Sequence, residues 1–327
     1  MATKKRVMLD TNLWSRIGEE GTATTFVAAL RDMGYAFVLP PSMLLEVMQT
    51  PNADTRRQIV AAMSSAQGLR LRTEVDLCTN EFRTALQRKR PAWLRSIPDA
   101  AAVSGWRTHW TKQVWRDARN DSEKFHQDVV RRPSLAAVDD WYETQLKNKQ
   151  RMREDGFSSD FIDLELRCTP DEANTVMPGW DGSSTAGWRV LIGEYYWYVL
   201  SQRHSSNETQ RQWFAAYLDI DRIVSDADEF AQFFLAELEP HDIRREWLRY
   251  AVGHTQLERK VKKSNALDAQ HSMYLVDADL FLSGDQAFVA VLRDVRRQAP
   301  FRIADPRRVE LTNSWTDGII AALASVA

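Results

Sequence analysis

The sequence predicts an α/β fold: an open parallel sheet flanked by helices, interrupted by a large all-α insertion. Three observations carry this. Short, continuous apolar runs stand near both ends of the chain, as strands buried on two faces do, and helical patterns follow them. Between the ends, residues 51–263 show helical periodicity and almost no strand signal. Gly and Pro number only 13 and 11 among 327 residues, which argues against disorder and against a turn-rich all-β chain.

Taken in order, Lys5–Leu9 (KRVML) reads as a first strand. Thr22–Met33 has helical spacing, with Phe26, Val27, Leu30 and Met33 on one side. Tyr35–Leu39 (YAFVL) is a second buried strand, and Pro41 opens a helix reaching Met48. Helices are then expected near 52–67, 74–90, 103–131, 134–154, 186–204, 207–218, 226–238 and 240–262. Residues 169–185 are the one long stretch dense in turn residues. Ser264–Val276 predicts a helix, with Asn265 three residues before Asp268 as a capping-box-like start. Ala278–Leu282 (ADLFL) predicts a strand, Gln286–Arg297 a helix and Phe301–Ile303 a last short strand. The expected organisation is one discontinuous α/β domain, 1–50 and 264–327, interrupted by a helical domain, 51–263.

The total charge is near neutral, with 43 Lys+Arg against 45 Asp+Glu, so no global field announces nucleic acid or membrane. Its distribution is uneven: residues 51–153 carry net +8, 154–243 net −13 and 244–263 net +5. The acidic block is expected to pair with the basic segments or to keep RNA off its side. No run approaches the roughly 18 apolar residues of a membrane helix, and Val7–Leu9 is too short for a signal-peptide core. The two cysteines, Cys78 and Cys168, sit in no CxxC spacing. The expectation is a soluble, reduced, cytoplasmic protein.

Four acids occupy comparable places. Asp10 follows the first strand, Glu46 lies in the helix after the second, Asp268 in the first turn of the resuming helix, and Asp285 just past ADLFL. In an open parallel sheet, the loops after strands share one edge, and sites form there. Carboxylates gathered at that edge repel one another unless a cation is present. Hard oxygen ligands suit Mg²⁺ or Mn²⁺ better than Zn²⁺. Such a site can activate water for phosphodiester hydrolysis. Taken singly, each acid has a plainer reading as a helix cap, turn residue or solvated side chain; the joint pattern is what points to chemistry.

The segments VMLDTNLW, VLPPSMLLEVM and NALDAQHSMYLVDADLFLSGDQAF resemble the motifs of PIN-domain nucleases. The resemblance covers the two ends of the chain. It implies a metal-dependent endoribonuclease with Asp10, Glu46, Asp268 and Asp285 as the catalytic, metal-holding acids. Thr11, Asn12 and Ser283 would be supporting polar residues. It further implies attack of water on phosphorus, leaving a 5′-phosphate and a 3′-hydroxyl, with RNA as substrate. Many such nucleases are toxins or phage-defence effectors, which brings in an antitoxin or sensor protein as partner. The insertion between Glu46 and Asp268 departs from the family, whose members join these acids through a short helical segment. His271, three residues after Asp268, reads as a histidine orienting a carboxylate, or else as a phosphate contact. Lys260, Lys262 and Lys263 are placed to meet a phosphate backbone or to face water at a helix end. Trp106, Trp110 and Trp115, interleaved with Arg107, Lys112, Arg116 and Arg119, read first as a buried stripe and second as an RNA-stacking surface.

Two other classes remain open: an inert PIN-like scaffold that binds RNA or protein, and a structure-specific DNA nuclease. Asn12 stands where a haloacid-dehalogenase phosphatase needs its second Asp. GxxxxGK[ST], HExxH and GxSxG are absent.

Overall fold

Val7, Met8 and Leu9 have no exposed surface, as the middle strand of a parallel sheet requires. A computed structural model of the chain describes residues 4–65, 68–131, 147, 149–150, 164–202, 208–258 and 265–325. Its strands are β1 (Lys5–Leu9), β2 (Tyr35–Leu39), β3 (Leu69–Arg70), β4 (Glu165–Leu166), β5 (Thr185–Ala186), β6 (Leu280–Ser283) and β7 (Asp305–Arg308). The chain divides into two compact units, residues 1–73, 107–135 and 270–327 in the first, and 74–106 and 136–269 in the second.

The first unit holds a five-stranded parallel sheet in the order β3-β2-β1-β6-β7, flanked by helices. Val7 lies opposite both Phe37 of β2 and Leu280 of β6, and Leu9 opposite Leu282. The order runs outward from β1 on one side and from β6 on the other. The carboxyl ends of β1 and β6 therefore border the switch point, where open α/β sheets form their clefts.

Helix Thr11–Glu20 follows β1 directly, where no element was expected, and ends at Gly21 in the left-handed region (φ 65°). Gly18 within it has no room for a side chain. A Cβ there would lie 2.9 Å from the backbone nitrogen of Ile59, in helix Ala53–Ser65. Helices Val114–Asn120 and Ser122–Val130 pack on that same helix, which draws part of the central sequence into the α/β unit. The single helix expected over 103–131 is broken between them, because Asp121 caps the second by accepting from the Lys124 N–H at 3.0 Å.

The last strand is Asp305–Arg308, not Phe301–Ile303. At a sheet edge a strand needs no continuous apolar run, and Pro306 is tolerated there. Helix Asn265–Ser272 is shorter than expected: Met273, Tyr274 and Leu275 leave it through turns bonded to the residue three before each. Asn265 is its first helical residue, not a cap ahead of it. Helix Trp315–Ala324, also unexpected, ends the described chain.

The second unit is mainly helical. Phe82 of helix Glu74–Lys89 stacks edge-on against Tyr196 of helix Gly187–Ser201 at 4.7 Å. Phe230 lies 4.6 Å from Phe234 and 5.0 Å from Trp197, and together these rings form an aromatic core. Trp106 packs on Trp213 at 4.8 Å, and Trp115, in the first unit, is buried under Arg70. Trp115 is buried, as the stripe reading expects, whereas Trp106 and Trp110 are only half-buried. The stretch expected to be a loop instead contains helix Pro170–Val176, started by a capping box of Thr169 and Glu172, and runs into β5, which pairs antiparallel with β4 just before it. The acidic block does pair with basic residues. Lys89 Nζ lies 2.7 Å from Asp242, and Arg90 Nε lies 3.1 Å from Glu229. Cys78 and Cys168 are both free thiols. The helix expected over 134–154 falls almost wholly outside the described residues. Among the described residues no helix is long and apolar enough to cross a membrane.

Candidate active site at the β1–β6 edge

Asp10 leaves β1 while still bonded to the sheet, its N–H donating to Leu282 O at 2.8 Å. It stands at the N-cap position of helix Thr11–Glu20 yet makes no side-chain capping bond. Its Oδ2 instead accepts from Ser283 Oγ and, at 2.8 Å, from Asn12 Nδ2. An aspartate at a helix start normally spends its carboxylate on the helix. This one is turned across the sheet edge.

Ser283, fully buried at the end of β6, is the hub of the arrangement. Besides donating to Asp10, its Oγ accepts from Asn12 Nδ2 at 3.2 Å and from the Asp285 N–H at 2.9 Å. Asn12 Oδ1 in turn accepts from the Gly284 N–H at 3.2 Å. Asn12 thus ties the turn after β1 to the turn after β6.

Glu46, in helix Pro41–Val47, accepts from Thr11 Oγ1 at 2.5 Å. His271, buried, brings its Nε2 to 3.6 Å from Glu46 Oε2. That is beyond a hydrogen bond, and among the described residues this nitrogen has no hydrogen-bond partner. Burial pushes the Asp10 carboxyl up to about 6; the bond from Ser283 and the nearby His271 oppose the rise, and the charge of Glu46 adds to it.

The remaining acids sit differently. Asp285 caps helix Gln286–Gln298, its Oδ1 accepting from the Ala287 and Phe288 N–H groups at 2.7 and 3.0 Å. Asp268 belongs to the second unit and accepts from Gln256 Nε2 at 3.2 Å. Lys260, Lys262 and Lys263 lie outside the described residues. Asp279 is structural, its Oδ2 accepting from the Arg6 N–H at 2.8 Å.

The donors match a hard divalent cation in kind. The raised Asp10 carboxyl and the unpartnered His271 nitrogen also fit a site that a ligand completes. In number the set is sparse. Among the described residues no group of three or more His, Cys, Asp or Glu side chains is placed to hold a metal ion. Two carboxylates still suffice for Mg²⁺, which keeps several waters and takes further oxygens from substrate phosphates.

One wall of the site was not legible in the sequence. The Trp315 ring lies against Gly284, 3.4 Å from where a Cβ would stand, and Arg16 sits over that ring at 5.8 Å. Glu20 accepts from the Trp315 N–H at 2.8 Å and holds the start of that helix in place. Nothing around Trp315 in the sequence links it to Gly284, because the pairing depends on a helix docking from the far end of the chain. Compared with protein families, curated proteins and solved structures, the chain matches none.

Proposed function

We propose that the first unit is a Mg²⁺- or Mn²⁺-dependent endoribonuclease of PIN-like type, hydrolysing RNA phosphodiester bonds at the β1–β6 edge. The observation that carries this reading is Asp10. It is a buried carboxylate at a helix start that does not cap the helix, and burial, with the charge of Glu46 adding to it, raises it to about 6. A carboxylate so placed is poor at capping and well suited to sharing a cation or a proton.

A bound divalent ion would supply an activated water and stabilise charge on the phosphate. Asp10 and Glu46 would hold it. Thr11 keeps the Glu46 carboxylate oriented through its hydroxyl, and Ser283 and Asn12 do the same for Asp10. His271 is positioned to take or give a proton at Nε2 beside Glu46. Asp285 joins the acidic set by family resemblance, while also serving as a cap. Trp315 offers a face for a base next to the Ser283–Asp285 turn. A toxin or phage-defence setting, with an antitoxin or sensor as partner, belongs to the same proposal.

Cleavage of mixed labelled RNA and DNA with Mn²⁺, Mg²⁺ or EDTA tests the reading. RNA cleavage that needs the ion and is lost in both Asp10→Asn and Asp285→Asn is expected. Wild-type rates in both variants would end the assignment, and cleavage of DNA alone would favour the structure-specific nuclease.

A further inference from the structure

At the other end of the same strands lies a cleft of about 580 Å³ within the first unit. Arg293, Arg296 and Arg297 reach it from the last turns of helix Gln286–Gln298, Arg302 from the following loop and Arg307 from β7. Phe301 and Asp305 also line it. The spacing of the first three, i, i+3 and i+4, puts them on one helix face.

Two arginines in a last helical turn are commonly explained by the negative end of the helix dipole. That account leaves Arg302 and Arg307 aside, since they come from other elements. Asp305 orders the group: its Oδ1 meets Arg296 Nη1 at 3.1 Å and its Oδ2 meets Arg307 Nε at 2.7 Å. Arg293 Nε donates to Pro306 O at 3.3 Å. Arg297 and Arg302 pair with Asp294 and Asp279, each at 2.6 Å, yet their side chains are 73% and 81% exposed. Each of these contacts uses one nitrogen of a guanidinium that carries five N–H donors. Five arginines therefore face a concave surface lined by a single acid, with most of their donors turned to solvent.

We infer that this cleft is a second binding site for the phosphate backbone of single-stranded RNA, set apart from the acidic edge. The chemistry favours phosphate, because planar guanidinium forks pair two-pronged with its oxygens. Asp279 and Asp305 precede or begin β6 and β7, whereas Asp10 and Asp285 lie at strand carboxyl ends. With a rise of roughly 3.3 Å per residue, the four residues of β6 separate the two places by on the order of 13 Å. An RNA strand gripped by the arginines would run past the edge strand β7 to reach Asp10. This inference rests on the ribonuclease reading for its choice of ligand.

The test is equilibrium binding of a short, labelled single-stranded RNA in EDTA, across a salt series. For Arg297→Ala/Arg302→Ala, affinity should fall roughly tenfold near 0.1 M salt. The slope of log affinity against log salt should flatten by about 1.4, at about 0.7 for each phosphate left without its arginine. Arg297→Lys/Arg302→Lys keeps the ion pairs and the charge, so it should keep most of the slope and serves as the folded control. Unchanged affinity and slope in the alanine variant, or no RNA binding by the wild type, would overturn the inference. A wild type that binds through these arginines but cleaves nothing with Mn²⁺ would leave the cleft in place and remove the nuclease. Cleavage by a wild type whose RNA affinity ignores the arginines would do the reverse.

Discussion

Burial holds the Asp10 carboxyl above its ordinary value of 3.8, raised to about 6 in the folded chain. The sign follows from linkage. A carboxyl raised on folding favours the fold while protonated, fully so below about pH 4, and that contribution is lost as pH rises through about 6. At pH 7, without metal, the ionised carboxylate costs the native state on the order of 2–3 kcal/mol. Asp10→Asn removes the charge and leaves an amide able to meet Ser283. It should therefore melt several degrees higher than the wild type in EDTA at pH 7, and no higher at pH 4. Equal melting temperatures at pH 7 would mean that the carboxylate is better solvated than its burial implies.

Among the elements, helix Thr11–Glu20 is held by its closest approach, the contact of Gly18 with Ile59. The nearest atoms there include the Ile59 backbone, which cannot swing aside. Gly18→Ala should thus cost about 1–3 kcal/mol as an overpacked interface, although alanine is the better helix former. Urea denaturation would show it, and a gain in stability would mean that the two helices can separate freely. The elements legible in the sequence were those with one strong signal. Val7–Leu9 and Tyr35–Leu39 are apolar runs, and Gln286–Gln298 alternates apolar and charged faces. β3, with Leu69 half exposed at the sheet edge, and β7, with its Asp-Pro-Arg-Arg sequence, carry no such run because an edge strand buries little. Thr11 and Asn12 were legible as neighbours of Asp10, but the hub role of Ser283 was not. It arises only when β1 and β6, more than 270 residues apart in sequence, become adjacent strands. The arginine cleft lay in a nearly neutral segment, where net charge conceals clustering. The 293, 296 and 297 spacing was its one sequence signal.

For the molecule as a whole, two opposed sets of ionisations bound the pH range of stability. Asp242 stays below the usual carboxylate range: burial pushes it up, but the bonds from Lys89 and the Glu239 N–H and the charges of Lys89 and Arg88 outweigh that. Glu172 and Asp181 are lowered by bonds from Thr169 and Ser183. Groups of this kind stabilise the fold above their unfolded values and lose that contribution as pH falls through the folded ones. Asp10 works in the opposite sense, its contribution being lost as pH rises from about 4 to about 6. The metal-free chain should consequently have its highest melting temperature between about pH 4 and pH 5 and lose stability from there to about pH 6. A divalent cation held by Asp10 and Glu46 binds only the native state and favours the ionised carboxylate, so it stabilises most where Asp10 is charged. Mn²⁺ or Mg²⁺ should then raise melting temperatures at pH 7–8 more than at pH 4–5 and move the optimum upward. In Asp10→Asn the decline on the alkaline side and most of the ion effect should disappear together. An ion effect of equal size at every pH, or one that survives Asp10→Asn, would place the cation elsewhere on the molecule and separate the metal from the β1–β6 edge.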